Sequence, residues 1–165
     1  MGAKRVKIVL LIFMVLLSWI LETKAQHHLI LGVIKKELPN AIKVERKTNI
    51  WYSVYDTNNK LIAYALTSYP YSSQIVGFMG NTPIIIILEL DWTIRKIELL
   101  NNNETEVYTK KLKYYNFFES WNNINIRDID TVYVDAYTGA TITANAIKKN
   151  LMITKKNALK KPHKN

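Results

Sequence analysis

Four consecutive isoleucines, Ile84 to Ile87, lie within the run Pro83 to Leu90 and constrain the fold more than any other segment. Successive residues of a strand face opposite sides of a sheet, so a run this apolar leaves neither side fit for water. Other strands are expected around it. Ile50 to Tyr55 and Leu61 to Tyr69 are rich in aromatic and β-branched residues, with Asp56-Thr57-Asn58-Asn59 between them as a hairpin turn. Asp91-Trp92-Thr93 turns the isoleucine run into Ile94 to Leu100, and Asn101-Asn102-Asn103 is a loop by composition. Thr131 to Val134 reads as one more short strand.

Helical patterns surround these strands. Ile30, Val33, Ile34 and Leu38 recur at helical spacing until Pro39 stops them. Thr109 to Trp121 predicts one or two short helices, and Thr143 to Ile153 a longer one with Ala144, Ile147 and Leu151 along one face. The expected class is α+β, a mostly antiparallel sheet flanked by helices at its edges.

The N-terminus adds a membrane element or an export signal. Met1 to Lys7 is short and basic, and Val6 to Leu21 is apolar apart from Lys7 and Ser18. This is a secretory signal or a short anchor, close to the lower limit of spanning length. Thr23-Lys24-Ala25 could serve as a cleavage site, but the helical pattern that continues beyond it favours a retained anchor. Lys4, Arg5 and Lys7 stay inside in either case, which puts the chain after Glu22 outside the cytoplasm. The expected division is 1–25 for signal or anchor, 26–153 for the domain and 154–165 for a basic tail.

The formal charge of +10 is concentrated at the ends. Gln26 to Ile147 carries 12 basic and 12 acidic residues, whereas the chain from Lys148 onward carries seven lysines and no acid. A nucleic-acid reader would carry a basic stripe on its folded body, so no nucleic-acid partner is expected. A lysine-rich end is a solvated end or one drawn to anionic lipid. The absence of cysteine excludes disulfides, thiolate-held iron–sulfur clusters and thiol catalysis. His27-His28 lacks a nearby third ligand and reads as surface.

The segment with most chemical content is Asp135-Ala136-Tyr137-Thr138-Gly139-Ala140-Thr141-Ile142-Thr143. It joins a short strand to a helix. Gly139 permits a tight turn, and Thr141 and Thr143 are both suitable N-caps. A helix N-terminus presents free N–H groups and the positive end of the macrodipole, so a phosphate would fit there. Read from physics alone, the segment is sooner a capped strand–turn–helix junction with no ligand.

Asp135-x-x-Thr138-Gly139-Ala140-Thr141 resembles the flavinylation motif of the FMN-binding domain family. That family includes the G subunit of the Rnf complex, the C subunit of the sodium-pumping NADH:quinone reductase and stand-alone envelope flavoproteins. The resemblance implies FMN joined through its phosphate to Thr141 by a flavin transferase, with Thr138, Gly139 and Ala140 shaping the turn. Asp135 would orient the loop or assist the transferase, and Thr143 is the second threonine that usually follows. Asn103-Glu104-Thr105 stands where the family often has His-x-Glu-Thr, which makes Glu104 and Thr105 liners of the flavin site. The usual Pro-Gly is replaced by Glu106-Val107. Gly77-Phe78-Met79-Gly80 and Pro83-Ile84 are similar to the family's Gly-aromatic-x-Gly approach to a buried strand. Trp51, Tyr52, Tyr55, Tyr64, Tyr69 and Tyr71 could stack on a flavin, although aromatics on strands are mostly core. The implied function is electron transfer outside the cytoplasm with membrane redox partners, the chain being tethered through residues 6–21. The alternatives are an envelope binding module that is never flavinylated and a surface binder acting through the lysine tail.

Overall fold

The computed structural model describes residues 13–14, 26–134 and 138–160. Five strands form one antiparallel sheet in the order β1-β2-β3-β4-β5, each strand pairing with its neighbour in sequence. They are β1 (Lys43–Arg46), β2 (Trp51–Tyr55), β3 (Leu61–Thr67), β4 (Ile84–Leu88) and β5 (Ile94–Leu99). Four helical segments accompany them: α1 over residues 26–37, α2 (Tyr69–Ser72), α3 (Glu106–Tyr114) and α4 (Thr141–Lys160). Two 3-10 helices, Phe118–Trp121 and Ile126–Thr131, lie between α3 and α4.

The isoleucine run is the central constraint it promised to be. Every residue of β4 is buried. Ile84, Ile86 and Leu88 join Trp51, Tyr64 and Leu66 in a core completed by Leu112, Trp121, Ile147 and Leu151. Ile85 and Ile87 face the other way, into a second core with Tyr52, Val54, Ala63, Ala65 and the α1 residues Ile30 and Ile34. The helices thus cover both faces of the sheet rather than its edges. Truncating Ile86 to Ala would cost about 2–5 kcal/mol by loss of burial and creation of a cavity.

The first hairpin turn is closed by Asp56, whose Oδ1 accepts N–H bonds from Asn58 and Lys60, both at 2.9 Å. Other expectations change. β1 is an additional strand whose only buried residue is Val44, so it carried no apolar alternation. Thr131 to Val134 is not a strand. Its first residue ends a 3-10 helix started by Asn125, whose side chain accepts the Arg127 N–H at 3.1 Å, and buried Val134 packs in the core that α4 lines. α4 begins two residues before the expected Thr143 and runs seven beyond Ile153. Residues 154–160, expected in a tail, complete that helix, with Thr154 and Ala158 fully buried. Among the described residues no helix is long and apolar enough to cross a membrane. The expected anchor at 6–21 lies outside them except for Phe13 and Met14, which are helical and exposed.

Candidate functional site

Three segments that are far apart in sequence meet at the α3 and α4 N-termini. The first is the loop before β4, where the Gly77 N–H donates to the Gly80 carbonyl at 2.7 Å and Val76 bridges to Asn81. The second is the loop from β5 into α3. Here Glu104, only 8% exposed, turns its carboxylate onto the first loop. Oε2 accepts the Phe78 N–H at 2.7 Å, and Oε1 accepts the N–H groups of Met79 at 3.1 Å and Thr105 at 2.7 Å. The loops pack so closely that a Cβ on Gly80 would stand 2.6 Å from the Asn103 carbonyl carbon and oxygen. A charged acceptor shared by three backbone donors is a strong local clamp.

The clamp fixes where Phe78 points. Its ring is 50% exposed and meets Tyr108 of α3 edge to face, with centroids 5.0 Å apart. Tyr108 stands one helical turn after Glu104, so the loop and the first turn of α3 present the two rings as a pair.

The third segment is the turn Thr138–Ala140 and the start of α4. Gly139 has φ +80°, a conformation that costs a side-chain-bearing residue free energy. The Lys111 ammonium lies against it, 2.9 Å from where a Gly139 Cβ would be. The Ala140 carbonyl accepts the Ala144 N–H at 2.9 Å, which makes Ala140 the capping position. Thr141 and Thr143 are therefore first-turn residues and not the caps they were expected to be. The alanine has no side-chain oxygen to offer the first-turn amides. Thr143 is fully buried, and its Oγ1 has no hydrogen-bond partner among the described residues.

A cavity of about 270 Å³ opens among Phe78, Tyr108 and the stretch Gly139 to Thr143. Of the residues singled out in the sequence, Gly139, Ala140, Thr141 and Thr143 line it, and exposed Thr138 precedes them in the turn. Glu104 and Thr105 stand behind Phe78 and do not line the cavity. Their contribution is to its wall, since Glu104 spends its carboxylate on backbone donors. Asp135 lies outside the described residues. The strand aromatics Trp51, Tyr52 and Tyr64 are buried in the two cores, Tyr52 with His27 packed against its ring. Phe78 was visible only as part of a glycine-flanked segment. Tyr108 and Lys111 carried no signal, because a tyrosine and a lysine in a mixed polar stretch look like any helix surface.

Residues 77–153 match the family described as the FMN-binding domain, a span that contains all three segments of this site. No curated protein matches the sequence. Among solved structures, the crystal structure of NqrC from Shewanella oneidensis is similar over 75% of this chain and 73% of that chain, at 17% identity and a TM-score of 0.45. Over residues 77–153, the chain is thus similar to the FMN-binding domain family.

Proposed function

We propose that this chain is an electron-transfer flavoprotein whose FMN is joined through its phosphate to the hydroxyl of Thr141. The observation that carries this reading is the position of Thr141. It opens α4 on the rim of a cavity walled by two aromatic rings, within the sequence pattern that resembles the flavinylation motif.

The residues present suit such a group. Phe78 and Tyr108 give an apolar wall for a flat aromatic ring system. The first turn of α4 offers N–H groups and the positive end of a 20-residue helix to a phosphate. The buried Thr143 hydroxyl has no partner among the described residues and can take one from a ligand. When bound, FMN supplies the redox chemistry, accepting and releasing electrons. The protein's share is positional. Thr141 tethers, Thr138 to Ala140 hold the turn open, and the Glu104 clamp keeps Phe78 in place. Tethering suits a domain outside the cytoplasm, where a dissociated cofactor would be lost. In this reading residues 6–21 hold the chain on the membrane, residues 26–153 form the flavin domain, and Asp135 assists attachment. A flavin transferase loads the protein, and membrane redox partners give and take the electrons.

The test is flavin attachment. The full chain is expressed with an active flavin transferase, denatured on a gel and inspected for flavin fluorescence beside Thr141→Ala. Fluorescence that survives denaturation and disappears in the variant is the expected result. An unlabelled wild type, with a family member labelled in parallel, would sink the reading. It would favour the binding-module alternative, which is motivated by Glu106-Val107 standing where the family has Pro-Gly.

A further inference from the structure

Lys111 occupies a position that its neighbours leave chemically unexplained. It is half-buried on α3, three residues after Tyr108, and residues three apart share a helix face. That face therefore presents an aromatic ring to the cavity at one level and an ammonium group to the Gly139 turn at the next. The adjacent Lys110 is paired with Glu106 one turn back, at 2.8 Å. Among the described residues no carboxylate pairs with Lys111. A half-buried cation that no described carboxylate pairs, set against a helix N-terminus, makes a doubly positive corner, and such a corner favours the entry of an anion. The Thr143 hydroxyl, without a partner among the described residues, is a second, independent sign of a polar ligand at the same cavity.

We propose that Lys111 is the phosphate-binding cation of this site, supplying the counter-charge for the single negative charge of the Thr141-linked phosphodiester. The inference rests on the Thr141 reading above. Three kinds of donor then converge on the phosphate: the lysine from α3, the first-turn amides of α4 and the Thr143 hydroxyl. The positive φ of Gly139 gains a second reason, since a side chain there would occupy the space of the ammonium. Lysine suits the task because its charge is compact and its stem adjustable, which lets it follow the phosphate as attachment proceeds.

The experiment uses the full chain with a flavin transferase, comparing wild type, Lys111→Ala and Lys111→Arg. The attachment rate is measured at low and high salt, and the phosphorus-31 resonance of the attached phosphate is recorded at neutral pH. Loss of one charge-assisted contact predicts attachment slower by about tenfold in the alanine variant at low salt, with most of the rate restored by arginine. Salt should slow the wild type more than the alanine variant, because screening weakens only an interaction that exists. The phosphorus resonance should move in the alanine variant and move back in the arginine variant. Equal rates with coincident resonances would overturn the proposal. So would slow attachment with an unmoved resonance, which assigns Lys111 to contact with the transferase. A wild type that takes no flavin fails at the earlier step and refutes the Thr141 linkage itself.

Discussion

The Glu104 carboxylate accepts the Phe78 backbone N–H at 2.7 Å across 26 residues of sequence, and so holds a half-exposed ring at the mouth of a cavity. The same carboxylate takes the N–H groups of Met79 and Thr105. Replacing Glu104 by Gln keeps one good acceptor but puts an NH₂ group against a backbone donor. The expected cost is about 1.5–3 kcal/mol, the range for hydrogen bonds to charged groups. For a chain of this size that lowers Tm by about 2–4 °C per kcal/mol. Thermal melts followed by circular dichroism measure it, and an unchanged Tm would show that the clamp is dispensable.

Two glycines should respond to alanine with opposite signs. At Gly80 the new methyl meets the Asn103 backbone at 2.6 Å, and neither loop can yield without losing the Glu104 bonds. Gly80→Ala is expected to destabilise by about 1–3 kcal/mol through overpacking. Gly32 lies in α1 with nothing within 4 Å of the position a methyl would take, so Gly32→Ala should stabilise by roughly 0.5–1 kcal/mol through helix propensity. Chemical denaturation of the two variants side by side checks both signs.

The contrast between these sites also shows what a sequence discloses. Ile84 to Ile87 announced a doubly covered strand because burial on both faces leaves a one-dimensional trace. Thr138 to Thr141 announced a turn and a helix start for the same reason, since the signal lies in adjacent residues. The pairing that makes the cavity wall left no such trace. Phe78 and Tyr108 meet only after β4 and β5 have formed and turned the chain back, and Glu104, singled out by resemblance as a liner of the site, shows its part as a clamp only in its three backbone donors. β1 was hidden because an edge strand is kept polar. Thr131 to Val134 misled because β-branched residues also suit an extended segment whose buried side pairs with a helix. The end of α4 was hidden by its lysines, which flank Thr154 and Ala158 while those two face the core.

Glu45 on the edge strand should titrate well below an ordinary carboxyl. Lys43 and Lys47 bond to it from either side, at 2.5 and 2.7 Å, and hold its pKa down to about 2 from a usual value of 4.5. A depressed carboxyl pKa contributes stability that is fully present above pH 4.5 and is lost as pH falls from there towards 2. The pair is solvent-exposed, so its share of global stability is small and salt-screened. The clear observable is local: a carbon-13 titration of the Glu45 carboxyl with a midpoint near 2, rising in Lys43→Met and in Lys47→Met. A midpoint that stays near 2 in both variants would assign the depression to another cause.

Asn150 ties the helix that carries Thr141 to the strand that carries the isoleucines. Its buried side-chain amide donates to the Thr82 carbonyl at 2.9 Å and to the Thr82 hydroxyl oxygen at 3.1 Å, just before β4. Asn150→Ala removes the donor and leaves the Thr82 carbonyl unsatisfied, at a cost of about 1–3 kcal/mol. Asn150→Asp should be worse, because an ionised carboxylate would face the Thr82 carbonyl oxygen that the amide now donates to. The protein would then hold the acid neutral, raising its folded-state pKa above the unfolded value. A raised carboxyl pKa makes stability fall as pH climbs through the unfolded value towards the folded one. The aspartate variant is therefore expected to lie closest to the wild type at pH 4 and to lose about 1.4 kcal/mol per pH unit above that, until the folded state ionises. Denaturation curves of wild type, Ala and Asp at pH 4 and pH 7 separate the two effects. A constant gap between Asp and wild type across that range would mean that the Thr82 contact is open to water and does not anchor α4.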